Sequence, residues 1–269
     1  MTRKLDHPAV TVTARGAARL RGGHPWVYRS DITSADGIPA GSVVTVVDSR
    51  SRPLATALYS TASQIAIRAV SREVLPAREW NSLLRKRITD AVAFRRRVVR
   101  DSEAYRVVFS EADFLPGLIV DKYGDYISLQ VLTQAMDTRD VRNTIVGTLV
   151  SELSPIAIFE RVEPRIRELE QMEPRQDSMI WSRLGGEVPP KTTFTMSSLK
   201  FLFDTESGQK TGAFLDQREN YSAAERYASG RALDCFTYQG GFALHLNRAC
   251  EQVTAVDISL AALESAEQN

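Results

Sequence analysis

The sequence lacks several features that would assign it to a membrane, secreted or metal-binding class. It has no run of about 18 apolar residues, so it predicts no membrane-spanning helix. Its first ten residues, MTRKLDHPAV, contain no apolar core followed by a cleavage site, and no secretory signal is expected. Two cysteines, Cys235 and Cys250, are too few for a disulfide framework or a metal-ligand cluster. A cytoplasmic protein without a resident metal or a membrane partner is the simplest expectation.

What the sequence does contain is enough apolar material for folded domains, together with an uneven charge. With 269 residues, 43% of them hydrophobic and 25% charged, the chain can form two or three globular domains. The net charge of +1 conceals a balance of +11 in residues 1–100 (18 Lys and Arg against 7 Asp and Glu) and of −10 in residues 101–269 (16 against 26). The basic front indicates a surface that faces a polyanion or, equally, a solvated basic face without a partner.

Periodicity divides the chain into three parts. In residues 1–75 the segments VTVTARG, SVVTVVDS, PLATALYS and QIAIRAVS predict short half-buried strands of a small β-barrel. Residues 76–190 begin with an amphipathic basic helix from Ala77 to about Arg100, continue with a strand meander, and include a helix from Asp140 to Leu153. The apolar stripe of the first helix consists of Trp80, Leu83, Leu84, Ile88, Val92 and Phe94. We interpret the polar segment 163–191 as a linker with a partial strand.

The third part, residues 191–269, predicts a hairpin, a helix and two strand–helix units. The hairpin consists of TFTMSSLKFLFD followed by ESGQKTGAFL, and a helix from Asp216 to Tyr227 comes next. The first strand of the following units, Ala232-Leu233, is expected to be buried and ends at Asp234. A loop with Gly240 and Gly241 follows it, and the second strand ends at Asp257.

This strand–loop–strand segment is the candidate ligand site. Ligands of parallel sheets bind beyond the carboxyl ends of the strands, where glycines allow a close approach and an acid such as Asp257 can accept both hydroxyls of a ribose. The loop DCFTYQGG is neither G-x-G-x-x-G nor a P-loop, so it favours a nucleoside without a pyrophosphate, such as S-adenosylmethionine (SAM), over NAD. The alternative is a purely structural strand–helix–strand unit with a glycine turn and a surface aspartate.

Three segments in order along the chain resemble a single family. They are GGHPWVYRSDI near the front, EADFLPGLIVDKYGDY in the middle, and GQKTGAFLDQREN followed by LDCFTYQGGFALHL and VTAVDIS. Together they resemble the PUA-domain-containing, class I SAM-dependent 23S rRNA cytosine-5 methyltransferases. The resemblance implies an α/β multidomain chain with a PUA-like RNA-binding barrel (1–75), a central α+β domain (76–190) and the start of a Rossmann-type methyltransferase sheet (191–269). It also implies methylation of a base in 23S rRNA with SAM as the cofactor, and it leaves a homodimer open.

The resemblance also assigns roles to residues of the candidate site. The loop after the first strand matches the one that holds the methionine and ribose portions of SAM, Asp257 matches the ribose-binding acid, and adenine is expected beside the residues that follow it. For Gln217 and Arg218, which match a DQR motif beside the donor site, helix capping and surface duty are the alternative. The cofactor-binding residues implied are Gln217, Arg218, Asp234, Phe236, Thr237, Tyr238, Gly240, Gly241, Asp257, Ile258 and Ser259.

The chemistry of cytosine C5 requires a further residue, because such enzymes attack C6 of the base with a cysteine thiolate. In the family that cysteine comes later than the donor loop, so Cys235 is expected to be a buried structural or donor-adjacent residue. Cys250 and His245 are expected to be structural, and His24 to serve a turn or packing. We assign no catalytic residue within the chain and expect the nucleophilic cysteine beyond Asn269.

Only two strands of the methyltransferase sheet are predicted, whereas the family has about seven. We therefore interpret the chain as C-terminally truncated, with an exposed apolar strand at Val253–Ile258 and little or no methyl transfer by itself. Two alternatives stay open. One is an RNA-binding scaffold with an incomplete, non-catalytic methyltransferase fold. The other is a methyltransferase that acts on a different base atom or on tRNA.

Overall fold

The computed structural model describes residues 6–205 and 212–269. Their buried apolar side chains form three clusters, one inside an N-terminal barrel and two on the opposite faces of a central sheet. The segment 206–211, which belongs to the predicted hairpin region, lies outside the described residues. Within the described ranges, no helix combines the length and apolarity that are needed to cross a membrane.

The N-terminal part is a six-stranded sheet that curls into a nearly closed barrel. Its strands are β1 (Ala9–Val12), β2 (Trp26–Val27), β3 (Ile32–Ser34), β4 (Val43–Val47), β5 (Pro53–Tyr59) and β6 (Ile67–Ser71). They lie in the order β2–β6–β5–β4–β1–β3, in which β1 and β4 are parallel and the other neighbours antiparallel. Alternate valines such as Val10, Val12, Val44 and Val46 are fully buried. The predicted β-barrel is therefore present.

One strand prediction in the barrel is wrong, because a helix interrupts the segment VTVTARG. Strand β1 ends at Val12, and α1 (Ala14–Arg21) begins two residues later. The Thr13 hydroxyl caps this helix by accepting a hydrogen bond from the Gly16 backbone N–H (3.1 Å). The helix buries Gly16, Ala17 and Leu20. Its inner face is thus made mostly of small residues, which a search for alternating apolar residues does not register.

The central part is a five-stranded sheet covered on one face by two helices. The strands are β7 (Ala104–Phe109), β8 (Leu118–Tyr123), β9 (Tyr126–Val131), β10 (Ala157–Glu160) and β11 (Ser178–Ser182). They lie in the order β11–β10–β9–β8–β7, with β9 and β10 parallel. The covering helices are α2 (Trp80–Val98) and α3 (Arg139–Leu153), which pack on each other. This combination of helices and strands agrees with the α+β fold predicted for the region.

The first of these helices differs from its predicted apolar stripe at one end. Leu84, Ile88 and Val92 are buried as expected, but Phe94 is 47% exposed. Two residues beyond Val92 the helix has turned by about 200°, so Phe94 lies on the opposite side of the helix. The helix therefore offers one aromatic ring to solvent.

The segment 163–191 is more ordered than the predicted linker. It contains the helix α4 (Pro164–Leu169) and strand β11, which extends the central sheet by pairing with β10. Arg167 is 3% exposed and donates hydrogen bonds to Asp137 (2.8 Å) and to the Glu173 carbonyl (2.6 Å). The polar composition misled the prediction, because two of the polar residues, Arg167 and Glu170, are buried in hydrogen-bonded contacts although most of the segment is exposed.

The other face of the central sheet is covered by the hairpin β12 (Lys191–Met196) and β13 (Leu199–Asp204). Its two-residue turn, Ser197-Ser198, has φ values of 51° and 63°, as type I′ hairpin turns require. Phe203 stacks on Tyr123 of β8 with ring centroids 4.2 Å apart. An aromatic cluster therefore fastens the third part of the chain to the second.

The remaining elements form the predicted strand–helix units. They are α5 (Arg218–Glu225), β14 (Arg231–Cys235), α6 (Gly241–Leu246), β15 (Gln252–Val256) and α7 (Leu260–Gln268). Strands β14 and β15 pair in parallel, as expected for the start of a Rossmann-type sheet. Leu233 of β14, which was expected to be buried, is instead 62% exposed. In the segment Val253–Ile258, predicted to be exposed, Val256 and Ile258 are exposed, whereas Val253 is half-buried.

Polar contacts join the barrel to the central domain. The Ser60 hydroxyl donates to Glu170 (2.8 Å), and the Trp26 indole N–H donates to Glu111 (3.1 Å). The Arg68 guanidinium lies 3.6 Å from Glu111 and 3.8 Å from Glu170. Part of the basic excess of residues 1–100 is therefore matched by acids of the central domain, which accounts for some of the charge asymmetry without an external partner.

Candidate functional site

Most of the predicted site residues meet at the carboxyl ends of β14 and β15. Cys235 pairs with Val256 in the parallel register, and the Thr237 N–H donates to the Val256 carbonyl (3.0 Å). The loop after β14 and the turn after β15 are thus adjacent. The structure brings together Asp234, Phe236, Thr237, Tyr238, Gly240, Gly241, Asp257, Ile258 and Ser259.

Asp257 links the two segments. One carboxylate oxygen accepts the Tyr238 N–H and the other accepts the Ser259 N–H, both at 2.8 Å. These backbone donors hold the pKa of Asp257 below its usual 3.8, so the side chain is charged at neutral pH. Each carboxylate oxygen has a second lone pair. The geometry therefore leaves Asp257 able to accept further hydrogen bonds, such as those of two vicinal hydroxyls.

Asp234 has an internal role. Its side chain is buried, and one carboxylate oxygen accepts hydrogen bonds from the Thr237 hydroxyl (2.6 Å) and from the Ala243 N–H (3.0 Å). The first bond closes the loop, and the second satisfies a donor in the first turn of α6. Asp234 and Thr237 thus fix the shape of the loop on which other residues are presented.

The loop has an unusual backbone. Phe236 and Tyr238 have φ values of 65° and 51°, in the left-handed region that residues with side chains rarely adopt, and Gly240 follows at 82°. Each such non-glycine residue costs about 1–3 kcal/mol and persists where the surroundings enforce it. Here the hydrogen bonds of Asp234 and Asp257 enforce it. The result is that the Phe236 ring projects outward, 87% exposed.

The structure explains why the second glycine of the loop is needed, which the sequence did not reveal. A Cβ atom at Gly241 would lie 2.5 Å from Cζ of Tyr221 and 2.6 Å from its hydroxyl. Tyr221 of α5 is buried against α6, and burial raises its pKa to about 12. We predicted that this glycine lets a ligand approach the backbone of the loop. In the structure, the ring of Tyr221 makes this close approach instead.

Gln217 and Arg218 lie at the start of α5. The Gln217 side-chain carbonyl accepts a hydrogen bond from Asn220 (2.8 Å). The Arg218 guanidinium pairs with Glu219 and lies 3.9 Å from Asp101. Gln217 makes no side-chain capping hydrogen bond to the helix, and the Arg218 side chain is only 13% exposed, so the capping and surface alternative is not borne out. The binding role of the two residues stays a prediction.

Of the residues that follow β15, one is exposed to solvent and another caps the next helix. Ile258 is 99% exposed beside Asp257, whereas the Ser259 hydroxyl accepts the Ala262 N–H (3.3 Å) and caps α7. Ile258 and Phe236 together supply bare apolar surface next to the Asp257 carboxylate. Such surface, rimmed by polar groups, is typical of a binding site.

The space beneath the loop is too small for a nucleoside. Phe214, Tyr221 and Tyr238 are among the residues that enclose a cavity of about 30 Å³, which holds roughly one water molecule. The rings of Phe214 and Tyr238 meet edge to face at 5.0 Å over this cavity. The open side of the loop, by contrast, presents Asp257, Phe236 and Ile258.

The sequence singled out two cysteines and two histidines, and the structure shows where each of them lies. Cys235, expected to be buried or near the donor, is exposed, because alternation along β14 puts it on the same face as Leu233 and opposite the buried Asp234. Cys250 is half-buried. His245 is fully buried, with Nδ1 2.8 Å from the Gly241 carbonyl, and burial lowers its pKa, which fits a structural role. His24 Nδ1 accepts the Trp26 N–H (3.1 Å) and thereby closes a turn, as predicted.

Sequence reasoning missed a second residue that supports the loop. The Asn269 side chain donates to the Gln239 carbonyl (2.9 Å) and accepts the Leu202 N–H (2.6 Å). It thereby connects the loop with the hairpin strand β13. No local pattern marks such a residue, because both contacts are made across long sequence separations.

Comparison with known proteins defines the relationship. Residues 10–72 match a family described as a PUA-like domain. The chain is 34% identical to ribosomal RNA large subunit methyltransferase I of Klebsiella pneumoniae over 100% of its own length and 66% of that protein's. It is 33% identical to the protein of the same name from Pseudoalteromonas translucida, over 97% of the chain and 65% of that protein. The chain is a homologue of these methyltransferases. It spans about two thirds of their length.

Solved structures show the same architecture. A SAM-dependent methyltransferase from Streptococcus mutans superposes with a TM-score of 0.79 at 17% identity, over 97% of this chain and 66% of the other. A methyltransferase solved in complex with SAH gives a TM-score of 0.80 at 17% identity, over 97% and 65% of the two chains. These likenesses concern the fold. Together with the PUA-like match of residues 10–72, they confirm the predicted combination of a PUA-like domain with an α/β methyltransferase fold.

Proposed function

We propose that this chain is the RNA-binding and SAM-binding part of a methyltransferase that acts on cytosine C5 of 23S rRNA in the cytoplasm. Homology to ribosomal RNA large subunit methyltransferase I supports an rRNA substrate, and the relative with SAH supports the class of cofactor. The base atom rests on the resemblance of the sequence motifs alone. The observation that carries the proposal is the carboxylate of Asp257 at the mouth of a loop that two aspartates hold in a strained shape.

The residues of the site fit the chemistry of SAM. Asp257 is charged and keeps lone pairs for the two ribose hydroxyls, which are neutral donors. Ile258 and Phe236 offer apolar surface to adenine, whose faces are poorly solvated in water. The loop has no lysine and no G-x-G-x-x-G pattern, consistent with a ligand that has no phosphate.

Each residue then has a definite task. Asp257 would hold and orient the ribose, Asp234 and Thr237 would keep the loop rigid, and Ile258 and Phe236 would exclude water from the adenine. When bound, SAM supplies an electrophilic methyl group. We assign the attack on C6 of the base to no residue of this chain, since Cys235 lies on the sheet face opposite the Asp234 side chain.

A second candidate function is an RNA-binding scaffold with a non-catalytic methyltransferase fold. The observation that favours it is the bare strand pair, in which Leu233 and Val256 are 62% and 51% exposed. Strands with little burial open locally at a low free-energy cost. A SAM site on this strand pair would therefore bind its ligand weakly.

Calorimetric titration with SAM tests the donor site directly. Asp257→Asn is expected to weaken binding by about 10- to 100-fold, because hydrogen bonds to a charged acceptor are lost. Glu264→Gln on the exposed face of α7 is the matched control and should leave the affinity unchanged. Equal affinity for the wild-type chain and Asp257→Asn would exclude this aspartate as the ribose ligand.

Transfer of a labelled methyl group separates the two functions. Incubation of the chain with labelled SAM and unmodified 23S rRNA, followed by mapping of methylated cytosines, reports the proposed reaction. RNA binding without SAM binding would support the scaffold. SAM binding with methylation at a position other than cytosine C5 would correct the base atom and leave the donor site standing.

A further inference from the structure

Two of the sequence segments that the donor site does not use meet at a groove between the barrel and the central domain. Its volume is about 390 Å³. GGHPWVYRSDI contributes its first residues, and EADFLPGLIVDKYGDY contributes its phenylalanine. The lining of the groove includes Gly23, His24, Pro25, Arg72, Arg87 and Phe114.

Phe114 is held in an outward position by its backbone. It is 66% exposed and has a φ of 58°, a conformation that costs a bulky residue energy. Its N–H donates to the Glu111 carbonyl (3.0 Å), and its own carbonyl accepts a hydrogen bond from Arg87 (2.6 Å). The Arg87 guanidinium also lies 5.5 Å from the centre of the Phe114 ring. An aromatic ring is thus fixed in solvent with a cation beside it.

The opposite wall of the groove carries further polar donors. Gly23 has a φ of 91°, and a Cβ atom there would lie 2.7 Å from Nη2 of Arg72, so the guanidinium rests against the glycine. His24 accepts a backbone N–H on Nδ1, which leaves the proton of its neutral ring on Nε2 as a donor. Glu73, which follows Arg72 in the chain, also lines the groove.

We propose that this groove binds an unpaired base of the RNA, with the base stacked on Phe114 and the flanking phosphates near Arg72 and Arg87. A nucleobase is the planar ligand that matches a rigid exposed ring, and the arginines match a polyanionic backbone. A base within a duplex is stacked on its neighbours and cannot reach the ring. The groove therefore selects single-stranded or looped segments. The inference rests on the proposed function for the class of its ligand.

Fluorescence anisotropy with a labelled single-stranded RNA of about twelve nucleotides tests the proposal on the whole chain. Phe114→Ala is expected to weaken binding roughly 5- to 150-fold, the range that loss of one base–aromatic stack supports. Phe114→Trp, which keeps a ring, should restore it. Phe109→Ala is the matched control, because Phe109 is 51% exposed beside Arg106 but lies outside the groove. That variant should bind as the wild-type chain does.

Salt dependence distinguishes stacking from phosphate contacts. Arg72→Gln should reduce the slope of log affinity against log salt by about 0.7, whereas Phe114→Ala should leave the slope unchanged. Equal losses for Phe114→Ala and Phe109→Ala would overturn the groove, as would equal binding of a perfectly paired RNA duplex. A wild-type chain that binds no RNA would overturn this inference and the RNA substrate together, while SAM titration would still report the donor site separately.

Discussion

The central sheet and the strand pair β14–β15 both contain strands with several apolar residues, but the two regions differ in the elements that cover them. Strands β8 and β9 are almost fully buried, since α2 and α3 pack on one face and the aromatic hairpin on the other. Strands β14 and β15 have similar apolar residues, yet most of their positions are exposed. Apolar residues in a strand therefore indicate only that the strand can be buried. Whether it is buried depends on elements that lie elsewhere in the sequence.

The largest expected effect comes from making the same substitution in both regions. Leu129 of β9 is 1% exposed, and Leu129→Ala should lower the free energy of unfolding by about 2–5 kcal/mol, because it leaves a cavity in a packed core. Leu233 of β14 is 62% exposed, and Leu233→Ala should change it by no more than about 0.5 kcal/mol. Urea denaturation of both variants checks the pair. A loss at Leu233 as large as that at Leu129 would show that β14 is covered in solution.

This comparison also explains how far the sequence could be interpreted. The strand–loop–helix–strand order, the acid after β15 and the structural duty of His245 follow from local patterns, and all are present. The sequence did not predict helix α1, because the buried face of this helix consists mostly of small residues. The predictions of a linker at 163–191 and of a buried Leu233 were wrong, because both depend on partners far along the chain. Within the site, the supports supplied by Tyr221 and Asn269 were invisible for the same reason.

A glycine pair gives an intermediate effect and tests the support of the donor loop. Gly241→Ala should cost about 1–3 kcal/mol, because the new methyl group overlaps the Tyr221 ring. Gly147→Ala in α3 meets nothing within 4 Å and should instead stabilise the chain by about 0.5–1 kcal/mol through helix propensity. Thermal denaturation monitors both changes.

Combining the substitution with a smaller partner identifies its cause. If the overlap with Tyr221 is responsible, Gly241→Ala together with Tyr221→Leu should cost less than the sum of the two single variants. Strict additivity would mean that the loop, rather than the packing of α5 on α6, requires a glycine at this position.

The smallest effect concerns the acid limb of stability at Asp257. Its folded-state pKa lies below the usual 3.8, because the backbone N–H groups of Ser259 and Tyr238 stabilise the carboxylate. A depressed pKa contributes stability that is fully present above the unfolded value and is lost as the pH falls through the folded value. The difference in unfolding free energy between wild type and Asp257→Asn should therefore stay constant from pH 7 to about pH 5 and shrink below about pH 4. Urea denaturation across this range measures it, and an unchanged difference at pH 3 would show that the two hydrogen bonds do not require the charge. Since Asp257 is only half-buried, the energy involved is small. The charge matters more for the proposed ribose contact, because Asp257 holds two loops through its carboxylate and would accept the ribose hydroxyls with the same charged group.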